Sequence, residues 1–229
     1  MLKRLWFAVM LMSTVAAYAQ KSADEVFGYW YMFSGTGRIS EHSGIQAVFN
    51  IRFYDQIKDF NQMILRAGYN YQINHRALFA LGYGYIITDT KLGNATDEVN
   101  RKEHQIAEQL SFRHYIWKFQ LEHRPRLEQR FMESGQENQL LHRARYRLQA
   151  KLPASTPLYL VLSEEIFLNL QDHVFGQNRL YGGMGVKLVQ DLDIQLGLVR
   201  ASSNGIYIDR LQLAFFYSPD LRRRTKVNI

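Results

Sequence analysis

WKFQLEHRPRLEQRF, residues 117–131, is the stretch that decides the fold. One phase of it reads Trp117, Phe119, Leu121, His123, Pro125, Leu127, Gln129 and Phe131. The other reads Lys118, Gln120, Glu122, Arg124, Arg126, Glu128 and Arg130. Successive side chains of a strand point to opposite faces, so this pattern gives one largely apolar and one charged face. A helix would need apolar residues every three or four positions, and the alternation breaks that spacing throughout.

The same period recurs on both sides. Leu141, Arg143, Arg145, Arg147, Gln149 and Lys151 alternate with His142, Ala144, Tyr146, Leu148, Ala150 and Leu152. Ile45, Ala47, Phe49, Ile51 and Phe53 alternate with Gln46, Val48, Asn50, Arg52 and Tyr54. Leu192 to Leu198 and Leu211 to Tyr217 repeat it. Turn residues bound the segments at Asn74-His75, Pro153 to Pro157, Asp191 and Asn204-Gly205, the last a strong hairpin pair. The reading predicts strands near 26–34, 43–54, 60–72, 76–88, 102–115, 117–131, 139–152, 157–169, 177–190, 192–200 and 205–217. That makes eleven, and because bacterial single-chain membrane barrels have even numbers, ten or twelve are expected.

The chain has 229 residues, 47% hydrophobic and 14% aromatic, which excludes disorder and fits one domain. It has no cysteine, which excludes a disulfide scaffold and a thiolate metal site. Residues 1–19 read as a secretory signal peptide: Lys3 and Arg4, an apolar run from Leu5 to Val15, and Ala17-Tyr18-Ala19 as the cleavage site. Residues 20–218 are then the barrel and 219–229 a basic tail holding Arg222, Arg223, Arg224 and Lys226.

A soluble barrel hides its apolar face, whereas a transmembrane barrel turns it to lipid and keeps polar residues inside. Segments of about 10–14 residues match the ~9–11 needed to cross a bilayer when tilted, against ~5–6 for soluble strands. Aromatics such as Tyr69, Tyr71, Tyr83, Tyr85, Trp117 and Tyr217 are expected at the interfaces. The fold class expected is therefore an all-β, antiparallel transmembrane barrel of 10–12 strands, placed in the outer membrane of a Gram-negative cell. Short turns near Asn74, Ile116, Pro153 and Asp191 would face the periplasm, with 88–100, 132–138 and 171–176 outside.

Four stretches carry a family resemblance: Arg124-Pro-Arg-Leu-Glu-Gln-Arg-Phe131, Arg143-Ala-Arg-Tyr-Arg147, Ser163-Glu-Glu-Ile-Phe-Leu-Asn169 and Gln177-Asn-Arg-Leu-Tyr-Gly-Gly183. With them the chain resembles an outer-membrane barrel family of Bacteroidota classed as a domain of unknown function, family 2490. The resemblance runs from about Gly28 to Tyr217. It implies a β-barrel in the outer membrane and brings no catalytic residue with it.

On the phase expected to face inward lie Arg52, Arg66, Arg113, Lys118, Glu122, Arg124, Arg126, Glu128, Arg130, Arg143, Arg145, Arg147, Glu165, Arg179, Lys187 and Arg210. Thirteen of these are cationic and three anionic. One reading is an internal brace, in which Arg–carboxylate forks fill a narrow barrel. The other is a path or site for small anionic solutes, because three carboxylates cannot balance so many cations.

An enzyme is the rival class. Ser203-Asn204-Gly205 invites comparison with outer-membrane acyl hydrolases, but the position two before the serine is Ala201 where those enzymes carry histidine. A nucleophilic serine needs a base within hydrogen-bond reach. Glu164 and Glu165 are adjacent strand residues, hence on opposite faces, and form no dyad. His104 with Glu103, and His123 with His142, are the nearest approach to metal-ligand pairs. No catalytic residue, metal or cofactor is expected. The expected partners are outer-membrane lipid and small anionic solutes. A periplasmic basic tail would meet no nucleic acid.

Overall fold

The computed structural model describes residues 28–54, 59–89, 100–134, 137–171 and 173–222. The expected signal peptide at 1–19, most of the 88–100 loop and the end of the basic tail lie outside these residues. Eleven strands follow in chain order: β1 (Gly28–Arg38), β2 (Ser43–Phe53), β3 (Phe60–Gln72), β4 (Ala77–Asp89), β5 (Asn100–Ile116), β6 (Phe119–Ser134), β7 (Glu137–Ser155), β8 (Leu158–Asn169), β9 (Phe175–Val189), β10 (Leu192–Ser203) and β11 (Ile206–Tyr217). Each pairs with its sequence neighbour, and β1 pairs with β11, so the sheet closes on itself. Closure leaves no strand edge with unpaired backbone groups.

The eleven segments legible in the sequence are the eleven strands. The expectation of an even number fails at one place. β1 and β11 pair in parallel, from Gly28 opposite Arg210 to Gly35 opposite Tyr217, while every other pair is antiparallel. An odd up-and-down count requires this, because first and last strands then run the same way. It also puts Gly28 and Tyr217 at opposite ends of the barrel.

One end carries the short connections 39–42, 73–76, 117–118, 156–157 and 190–191. The other carries 54–59, 90–99, 135–136, 170–174 and 204–205, which include the longest. The 204–205 turn has positive φ at both Asn204 (50°) and Gly205 (79°), as a tight two-residue hairpin demands. At the short-turn end the chain after β11 folds back beside β1: the Leu221 amide donates to the Arg38 carbonyl at 2.8 Å. There the Arg222 guanidinium holds the Asp220 carboxyl down at about 2, so this exposed fork stays charged across the physiological range.

The alternation is expressed in burial. Val161 is 1% exposed and its neighbour Leu162 57%; Val199 is 1% exposed and Leu198 57%. Along the outside run Phe49, Leu65, Leu81, Leu110, Leu127, Leu160 and Leu196, all exposed. The buried phase mixes Trp30, Ile64, Ile86 and Phe167 with Asn50, Gln105, Gln109, Glu122, Glu128 and Glu165. The apolar faces therefore point out and the polar faces in.

Candidate functional site

Strands β5 to β8 bring the interior charges together, because their polar phases share one wall of the barrel. Register sets the pairs: Arg126 stands opposite Arg145, Arg124 opposite Arg147, and Glu128 opposite Arg143. Across the next seam Arg147 stands opposite Glu165.

Glu128 is the centre of the network and is 1% exposed. Its Oε2 accepts from Arg143 Nε at 2.6 Å, and its Oε1 from Arg145 Nη1 at 2.7 Å and Arg126 Nη1 at 3.5 Å. Arg145 spans two carboxylates, since its Nη2 donates to Glu165 Oε1 at 2.6 Å. Glu165 also meets Arg179 at 3.6 Å. Toward the short-turn end Glu122 accepts from Arg113 at 2.6 Å and Arg147 at 2.9 Å. Toward the other end Arg130 grips Glu103 with two hydrogen bonds of 2.8 and 2.7 Å. Charge-assisted forks of this kind are among the strongest hydrogen bonds a protein makes.

Neutral acceptors hold several of the cations as well. Arg52 donates to Asn50 at 3.0 Å and Gln62 at 2.6 Å, and Arg66 donates to Gln105 at 3.0 Å. Arg126 rests on Gln109 through Nε at 2.9 Å and through Nη2. Aromatic faces take others: Arg52 lies 4.0 Å from the Trp30 ring centre, Arg145 4.4 Å from that of Phe167, and Arg179 4.8 Å from both. Lys151 sits 3.5 Å over Tyr159 and 3.3 Å from Asp193.

Most of the charges expected inside are therefore held in clusters on the inner face, about Glu128 and Glu165, about Glu122 and about Glu103. Lys118 is not: it occupies the β5–β6 turn at the short-turn end, 5.2 Å over the ring of Trp117, because β6 begins two residues later than the alternation suggests. Lys187 is an exposed residue near the end of β9. Arg210 is buried on β11, and its guanidinium donates to the Asp209 carbonyl at 2.9 Å. Glu103, Asp193 and Lys151 are interior charges that escaped the sequence reading. Glu103 shares the phase of Arg113, and Asp193 and Lys151 lie on the polar faces of β10 and β7. The signal was the same alternation, followed to the strand ends.

The other sequence candidates stay apart. Glu165 points into the network, while Glu164 accepts from Asn178 at 2.9 Å on the opposite face. Ser203 Oγ donates to the Gly176 carbonyl at 2.7 Å. His123 contacts the Tyr146 hydroxyl at 2.6 Å and stacks on His114, and His104 contacts Tyr83 and Glu133. Among the described residues no group of three metal-ligating side chains occurs.

At the long-loop mouth, β5 to β8 and the connection after β8 line a cavity of about 270 Å³ that is open to the outside. Arg101, Arg130, His142, Asn169, Gln171 and His173 are among its lining residues. A cavity so lined offers donors and positive charge to an entering solute.

Compared with known proteins, residues 27–211 match the family model described as Protein of unknown function (DUF2490). No curated protein and no solved structure matches the chain.

Proposed function

The chain belongs to the DUF2490 family of proteins of unknown function, and we propose that it is an outer-membrane barrel whose cation-rich interior takes in small anionic solutes. The host cell is then Gram-negative, as the resemblance to Bacteroidota barrels implies. One observation carries the placement: the exposed phase is apolar and the buried phase charged. Each of Leu65, Leu81, Leu162 and Leu198 left in water would forgo about 1.5–3 kcal/mol of burial, which lipid supplies. The signal-like residues 1–19 supply the export route. The short-turn end then faces the periplasm and the cavity at the long-loop mouth faces outward.

Eleven strands lie between the eight that side chains fill and the sixteen that leave an aqueous channel. Gln105 at 0% and Glu128 at 1% exposure place this interior near the filled limit. Wide diffusion is therefore not the activity. The excess of interior cations over carboxylates supports uptake of anions. The closed forks at Glu128 favour a second reading, an internal brace. A lipid hydrolase finds no support at Ser203, whose hydroxyl is held by a backbone carbonyl.

Planar bilayers test this reading. The purified barrel should give either no current or a small current whose reversal potential in a KCl gradient favours chloride. A large, unselective or cation-selective conductance would contradict it.

A further inference from the structure

Of the four guanidinium groups that face each other across β6 and β7, three have anchors. Arg145 holds Glu128 and Glu165, Arg126 rests on Gln109, and Arg147 reaches Glu122. Arg124 has neither a hydrogen bond nor an ion pair among the described residues, although it is part-buried and directly opposite Arg147. Side chains directly opposite in an antiparallel pair have Cβ atoms about 4.5–5.5 Å apart, where like charges repel. Glu122 and Glu165 attract Arg124 and relieve this only in part, because Glu122 is already hydrogen-bonded by Arg113 and Arg147 and Glu165 by Arg145. On the same wall the Nε groups of Arg145 and Arg147 are buried with no acceptor. Buried donors are normally satisfied, so these two Nε groups and the unbonded Arg124 guanidinium together offer donors that a small anion can take up.

The geometry points to a binding site for a small oxyanion on Arg124 and Arg147, inside the barrel between Glu122 and Glu128. It rests on the proposed uptake of anions and names where one is held. The ligand is phosphate, sulfate or a short carboxylate, whose oxygens match the two-toothed guanidinium fork. A lipid headgroup is excluded by position, because its chains cannot follow it through the strands.

The test is titration of inorganic phosphate into the purified barrel, in an uncharged detergent, by calorimetry and by thermal melting. Phosphate should bind and raise the melting temperature. Arg124→Gln should weaken binding at least tenfold and abolish the rise, with Arg124→Lys retaining part of both. Arg222→Gln, at the exposed tail, should leave binding unchanged. Without phosphate, Arg124→Gln should melt no lower than the parent, since the side chain it removes braces nothing. Phosphatidic acid in the same micelles should not compete. Binding that is equal in Arg124→Gln, or lost to phosphatidic acid, overturns the site while leaving anion uptake standing. If the parent protein binds neither phosphate nor sulfate, the site and the proposed uptake fall together.

Discussion

Glu128 shows at the level of a single side chain how tightly one part of this interior is braced. It is sealed among three arginines, and removing one partner of a buried ionic group costs about 3–5 kcal/mol, because the others stay buried and uncompensated. Glu128→Gln should therefore lower the melting temperature in detergent markedly, whereas Glu133→Gln, exposed at the rim, should change it little. An unchanged melt for Glu128→Gln would mean that water neutralises the cluster. Ser203 tests the negative claim. Its hydroxyl is spent on the Gly176 carbonyl, so purified protein should release no fatty acid from phospholipid. Ser203→Ala should leave any background rate untouched. The inward phase of these residues was legible in the sequence, since period two assigns faces without knowing neighbours. Which arginine pairs with which glutamate was not, because that depends on inter-strand register. Arg124 illustrates the gap: nothing in its spacing distinguishes it from Arg126, yet one has acceptors and the other has none.

Strands were the most readable unit, and β3 spans the very residues the alternation marks. Where ends moved, as in β7, which runs on to Ser155 past Pro153, the pattern simply outlasted the turn signal. The closing seam was the feature that no local pattern contains. Only the count of strands reveals that β1 must meet β11 in parallel. Phe33 and Phe215 stand opposite each other on the outer face of that seam. The chain has no cysteine of its own, so Phe33→Cys with Phe215→Cys forms a clean probe. Adjacent strands lie ~4.8 Å apart, within disulfide reach, and oxidation should lock the pair. Pairing Phe33→Cys with Ile206→Cys, at the far end of β11, should give no link. In β9 and β10 close approach replaces charge. A Cβ on Gly197 would come 2.6 Å from the Gly182 carbonyl oxygen and 2.6 Å from the Tyr181 ring. Gly197→Ala should cost about 1–3 kcal/mol, read as a lower melting temperature, because backbone cannot retreat as a side chain does.

For the whole molecule, placement in a membrane rests on which face meets which medium. The outer face is a band of leucine and aromatic side chains, bounded toward the long-loop end by the exposed Arg200–Asp209 fork at 2.7 and 2.8 Å. Glu108 interrupts this band, exposed on β5 opposite the outward Leu81 and Leu127. In lipid such a carboxylate costs something under ~2 kcal/mol, so Glu108→Leu should stabilise the barrel in bilayers. In water the same change would add one more exposed leucine and bring no gain. Fractionation of cells producing the full chain is the most direct measurement of the central claim. The expected result is recovery with the outer membrane, resistance to extraction by high salt, and a folded band that shifts on boiling in SDS. Recovery as a soluble periplasmic protein, monodisperse without detergent, would contradict it.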